Sequence, residues 1–126
     1  MTNNKKQKIL LMEDEAVLGE IYKKALEEAG FEVEWYKTTE ETEEAAKRFM
    51  PNVILLDHGI RGEDRSGLDI LPGIKKILPK SNVVMLSNYS EKQLEKATKK
   101  AGAVGYLIKL DTPPAVLVQY VKKLLS

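Results

Sequence analysis

The chain has 126 residues, 43% of them hydrophobic, and its 20 Lys+Arg against 19 Asp+Glu leave a formal net charge of +1. That length suits one domain with a real core, and so even a balance argues for neither a nucleic-acid nor a membrane surface. The absence of cysteine excludes disulfides, thiolate metal sites and cysteine nucleophiles together.

Met1 to Lys8 carries three lysines and no apolar stretch, so residues 1–7 read as a flexible polar tail rather than a signal peptide. No apolar run approaches the roughly 20 residues of a membrane-spanning helix, and a cytoplasmic location is expected. Ile9-Leu10-Leu11-Met12 is continuously apolar, the pattern of a strand covered on both faces, and Glu13-Asp14 follow it. A helical stripe of Leu18, Ile21, Tyr22, Ala25 and Ala29 comes next, stopped by Gly30 as a C-terminal cap. In Phe31-Glu32-Val33-Glu34-Trp35 apolar and acidic residues alternate, which predicts a half-exposed strand at a sheet edge. Thr42, Ala45, Ala46 and Phe49 mark the second helix, with glutamates early and Lys47-Arg48 late to complement its dipole, and Pro51 ends it.

Val53-Ile54-Leu55-Leu56 is a third strand with Asp57 at its end. Ile70, Ile74, Ile77 and Leu78 mark a third helix, and Pro72-Gly73 inside the pattern implies either a kink or a start delayed to Pro72. The fourth strand, Val83-Val84-Met85-Leu86, ends in Ser87. Ser90 to Ala101 reads as a helix whose thin stripe of Leu94, Ala97 and Ala101 buries little. The short run Gly105 to Ile108 precedes Lys109, and the last helix is expected to start at Thr112 with prolines at its first positions. Its core stripe is Leu117, Val121 and Leu124, with Val118 and Leu125 beside it.

Five strands alternating with five helices predict a single α/β domain over 1–126, with helices on both faces of a parallel sheet. Right-handed crossovers and the two edge strands favour the order 2-1-3-4-5, a flavodoxin-like arrangement. Ligands of such sheets bind beyond the carboxyl ends of the strands, where Glu13, Asp14, Asp57, Ser87 and Lys109 would gather. Clustered carboxylates repel one another unless a cation neutralises them or one takes a proton. Mg²⁺ suits such oxygen ligands, and once shielded the Asp57 carboxylate can attack phosphorus. Lys109 and the Ser87 hydroxyl are the candidate groups for stabilising the phosphoryl oxygens. Taken singly, an acid after a strand is more often a helix cap or a solvated loop residue. The combination of four strand ends carries the functional reading.

The segments Ile9–Glu15, Val53–Asp57, Ser66-Gly67-Leu68, Val83–Ser87 and Gly102–Lys109 together resemble the receiver domain of two-component response regulators. The resemblance implies that Asp57 accepts a phosphoryl group from a sensor histidine kinase or histidine phosphotransfer protein. It also implies Mg²⁺ held by Glu13, Asp14, Asp57 and the backbone carbonyl of Gly59. Ser87 would turn toward the phosphoryl group while Tyr106 swings inward in concert. A stand-alone response regulator of this kind would be no conventional turnover enzyme. It would signal to a downstream protein through a phosphorylation-biased face, as a monomer or a phosphorylation-dependent dimer, without touching nucleic acid or membrane.

Some positions depart from that family. Leu110 follows Lys109 where proline joined by a cis peptide is usual. A cis bond before a non-proline residue costs about 2.5–4 kcal/mol, so a trans bond and a shifted loop are expected. Arg61 replaces a customary proline, and the charged stretch Arg61–Arg65 lengthens the loop after Asp57, as a solvated segment or a partner contact. Gly59 and Tyr89 occupy positions that tune water access to an acyl phosphate, and His58 reads as a plain loop histidine. The alternative reading is a receiver-like binding module that acts without phosphorylation. A phosphatase with an aspartate nucleophile would want a second aspartate where Gly59 stands. A flavin site would want a phosphate-binding loop where Glu13-Asp14-Glu15 stand.

Overall fold

The computed structural model describes residues 5–59 and 65–126. Residues 1–4 of the polar tail and residues 60–64 of the charged loop lie outside the described residues. The elements run β1 (Lys8–Met12), α1 (Ala16–Glu28), β2 (Glu32–Tyr36), α2 (Thr39–Phe49), β3 (Val53–Asp57), α3 (Gly67–Ile77), β4 (Asn82–Ser87), α4 (Lys92–Lys100), β5 (Gly105–Ile108) and α5 (Pro114–Leu125). All four strand pairs are parallel, in the predicted order β2-β1-β3-β4-β5.

Alternation along the strands splits the core in two. Leu10, Met12, Ile54, Leu56, Val83 and Met85 face α2 and α3. Ile9, Leu11, Val53, Leu55, Val84 and Leu86 face α1 and α5. Because both faces are covered, β1, β3 and β4 need no polar face, hence their unbroken apolar runs. Among the described residues no helix is long and apolar enough to cross a membrane.

Local signals act where the sequence places them. Gly30 (φ +102°) ends α1 in a Schellman turn, in which Phe31 N–H donates to Leu26 O at 3.1 Å and Gly30 N–H to Glu27 O at 3.0 Å. Thr38 caps α2, Glu40 and Glu41 occupy its first turn, and Lys47 and Arg48 its last.

Expectations for four of the helices need correction. The α1 face turns toward Gly19, Tyr22 and Leu26, leaving Ile21 exposed. A capping box of Ser66 and Asp69 starts α3 at Gly67, so the start is not delayed to Pro72, which sits on the exposed side. Its buried face contains Leu71, while Ile77 is exposed. In α4 the only fully buried residue is Thr98, with Leu94 and Ala101 partly covered and Ala97 exposed. Finally, α5 starts at Pro114 rather than Thr112, because the Thr112 hydroxyl donates back to Ile108 O at 2.7 Å instead of capping the helix.

Candidate functional site

Each strand of the inner sheet delivers its polar residue at the same edge. The ladders end at the pairs Met12 with Leu56, Asp57 with Leu86 and Ser87 with Ile108. Glu13, Asp14, Asp57, Ser87 and Lys109 therefore emerge together where the chain reverses its order of addition, between β1 and β3. Asp14, Asp57, Gly59, Ser87 and Lys109 line one cleft of about 350 Å³. Glu13 lies fully buried behind it. His58 and Tyr89 also line the cleft.

Glu13, Asp14 and Asp57 each offer a carboxylate oxygen, and these atoms all lie within 4.8 Å of one another. Lys109 Nζ stands 2.8 Å from Glu13 Oε1 and 3.0 Å from Asp57 Oδ1. The Glu13 contact is an ion pair without hydrogen-bond geometry, and Asp57 Oδ2 has no hydrogen-bond partner among the described residues. Asp57 Oδ2 thus lacks a protein donor and Glu13 Oε1 has only the Lys109 charge, an arrangement that is costly for buried carboxylates unless a further partner completes it. A hard cation with oxygen preference would satisfy both, so the donor set fits Mg²⁺.

The electrostatics agree. Burial, then the Glu13 charge, pushes the Asp57 carboxyl up to about 8, with Lys109 offsetting only part of the rise. Burial alone would lower the Lys109 ammonium, but its contacts with Glu13 and Asp57 prevail and hold its pKa above the usual lysine value.

Lys109 reaches the acids without the usual proline after it. No peptide bond among the described residues is cis, and residues Lys109–Asp111 form a 3-10 turn. Thr112 ties that turn down, its N–H donating to Lys109 O at 3.0 Å. The buried Tyr22 hydroxyl, on α1, donates to Thr112 O at 2.8 Å. On the other side of Asp57, the N-terminus of α3 abuts the end of β3. A Cβ at Gly67 would lie 2.3 Å from Asp57 O, so only glycine fits there.

Ser87 Oγ accepts the Tyr89 N–H at 3.2 Å. Tyr106 does not line the cleft; its half-buried ring packs on the core, and its hydroxyl donates to Tyr89 O at 2.8 Å. Ser87 and Tyr106, the pair expected to move in concert, therefore both bond the backbone of Tyr89. Gly59 N–H donates to Asp57 Oδ1 at 3.3 Å.

Three supporting residues escaped the sequence reading: Tyr22, Thr112 and Trp35, whose indole N–H donates to Glu13 O at 2.9 Å. Trp35 is the chain's only tryptophan, on a strand expected to lie outside the site. A tyrosine inside the α1 stripe also carries a hydroxyl that must find a partner when buried.

A family model described as the response regulator receiver domain matches residues 9–122. The alginate biosynthesis transcriptional regulatory protein AlgB of Pseudomonas aeruginosa is 29% identical over 123 residues, covering 98% of this chain and 27% of that protein. The chain therefore spans about a quarter of that relative's length. The chemotaxis protein CheY of Thermotoga maritima is 26% identical over 112 residues, 88% of this chain and 92% of that protein. Among solved structures, a CheY-like response regulator receiver domain protein from Methanospirillum hungatei superposes with a TM-score of 0.89 at 26% identity, covering 96% of this chain and 94% of that one.

Proposed function

The chain belongs to the response regulator receiver domain family of two-component signalling, and we propose that it accepts a phosphoryl group on Asp57 from a histidine kinase or histidine phosphotransfer protein. The observation that carries this reading is the convergence of three carboxylates within 4.8 Å beside the Lys109 ammonium. When held by Glu13, Asp14, Asp57 and the carbonyl of Gly59, Mg²⁺ supplies neutralising charge to the carboxylates and the phosphoryl oxygens.

The chain's own residues do the rest. A deprotonated Asp57 oxygen forms the new P–O bond as the P–N bond to the partner's imidazole breaks, its electron pair staying on the ring nitrogen. Lys109 supplies fixed positive charge next to the phosphoryl group. Ser87, whose Oγ accepts the Tyr89 N–H, keeps its own proton to donate to a phosphoryl oxygen. If it turns to do so, the Tyr89 loop loses an acceptor, and Tyr106 is tied to that loop. That linkage supports a switch in which phosphorylation biases the β4–α4 loop and the β5 surface.

Exposed apolar side chains rim the acceptor: Val17 is 73% exposed three residues after Asp14, and Leu110 is 90% exposed beside Lys109. They support docking of a protein donor rather than capture of a small molecule.

The decisive experiment is transfer of labelled phosphoryl from phosphorylated kinases or phosphotransfer proteins to wild type and Asp57→Asn, with Mg²⁺ and with chelator. Label should appear only on wild type and only with Mg²⁺. Label on the Asn variant, or transfer indifferent to chelation, would refute the assignment. An amide spectrum that ignores beryllofluoride with Mg²⁺ around Asp57 and Ser87 would favour a binding module that works without phosphorylation.

A further inference from the structure

The β2 strand lies at the sheet edge, outside the cleft, yet it grips the acidic turn. The β1 ladders end at Met12, paired with Tyr36 on one side and Leu56 on the other. Beyond that point the Glu13–Asp14 peptide has left the sheet. Its orientation decides where both carboxylates point, and the end of β2 holds it. Glu13 N–H donates to Tyr36 O at 3.0 Å. Glu13 O accepts the Trp35 indole N–H at 2.9 Å. On the far side of the turn, Glu15 N–H donates to Glu13 Oε2 at 3.1 Å.

Of these three contacts, the Trp35 bond is the one a side chain outside the turn makes, and the fold makes room for it. A Cβ at Gly19 on α1 would stand 2.2 Å from the Trp35 ring, so any other residue there would displace the indole. Lys37 Nζ lies 5.6 Å from the ring centroid and covers it from outside. A partly exposed edge-strand residue with an obligatory glycine opposite and a polar tip on a buried turn is a poor fit to simple packing. Phenylalanine would fill much of the same space but could not donate.

We propose that Trp35 is a positioning residue for the cation-binding acids: its indole N–H fixes the Glu13 carbonyl, and so the Glu13–Asp14 peptide, in the orientation that turns both carboxylates toward Asp57. Gly19 is its required companion. Mg²⁺ tolerates little departure from octahedral geometry, so loosening this peptide weakens the site without removing a ligand. The inference rests on the cation site described under the proposed function.

The test is Mg²⁺ titration of wild type, Trp35→Phe, Gly19→Ala and the control Val33→Ala, followed by amide NMR at a temperature where all are folded. Val33 shares β2 but packs in the core, so its truncation loosens the strand without touching the turn. Wild type should show saturable shifts at the Asp14 and Gly59 amides and at its single indole N–H peak. Trp35→Phe and Gly19→Ala should each bind Mg²⁺ about 5- to 10-fold more weakly, the effect of one oriented hydrogen bond. Val33→Ala should keep the wild-type affinity. Unchanged affinity in Trp35→Phe, or equal weakening in Val33→Ala, would overturn the positioning role. If Trp35→Phe does not fold, Gly19→Ala decides: wild-type affinity there overturns the proposal. Absence of saturable shifts in wild type would instead remove the cation site itself, a separate failure.

Discussion

In the proposed reaction Asp57 attacks as a carboxylate, yet without a cation its carboxyl is pushed up to about 8 by burial and the Glu13 charge. At neutral pH it therefore holds a proton, which cation binding must expel. Calorimetry in buffers of different ionisation enthalpy should show close to one proton released per Mg²⁺ bound near pH 7, and affinity should rise from pH 6 to pH 8.5. The same shift acts on folding. The folded pKa lies above the unfolded value of 3.8, so the native state binds the extra proton. That stabilisation is complete below pH 3.8 and fades as pH rises to about 8. Considered alone, it makes the chelated protein unfold at lower urea concentration at pH 8.5 than at pH 5.5, with saturating Mg²⁺ reversing the loss. That Glu13, Asp14, Asp57, Ser87 and Lys109 gather at one sheet edge was readable from sequence because they follow apolar runs. Trp35 and Tyr22 were not, since their partners lie 22 and 90 positions away and only the fold joins them.

Between residue and fold, the Lys109–Asp111 turn shows how an element substitutes for a missing local constraint. The sequence predicts a trans bond and a displaced loop, and the bond is trans. Nevertheless the ammonium reaches both acids, because Thr112 closes the turn and Tyr22 anchors Thr112 from α1. Tyr22→Phe leaves the buried Thr112 carbonyl without its donor, at a cost of about 1–3 kcal/mol. It should also slow phosphotransfer with little change in Mg²⁺ affinity, since Lys109 is no cation ligand. Urea unfolding and single-turnover transfer measure the two effects. Equal losses in transfer and cation affinity would place Tyr22 elsewhere in the mechanism. The periodicities of α1 and α3 located the helices and most of their buried stripes, but misplaced the exposed Ile21 and Ile77 and missed Leu26 and Leu71. In α3 the approach of Gly67 to the Asp57 carbonyl sets the starting point, and with it the face that carries Leu71 inward. No spacing rule encodes that contact.

Across the molecule, strand order and the two-sided core followed from unbroken apolar runs in β1, β3 and β4 and from alternation in β2. These patterns report burial directly, which is why they translated into topology. The fourth helix does bury little, as its thin stripe predicts, but its one fully buried residue is Thr98 and Ala97 is exposed. A helix held by one buried threonine and the partly covered Leu94 and Ala101 has little to lose by detaching. Its backbone amides should trade hydrogen for deuterium through local opening, orders of magnitude sooner than those of β3, whose residues are all buried. The α4 side of Tyr106 should thus open first, so a bound partner there would be read out as slowed exchange before any change of shape.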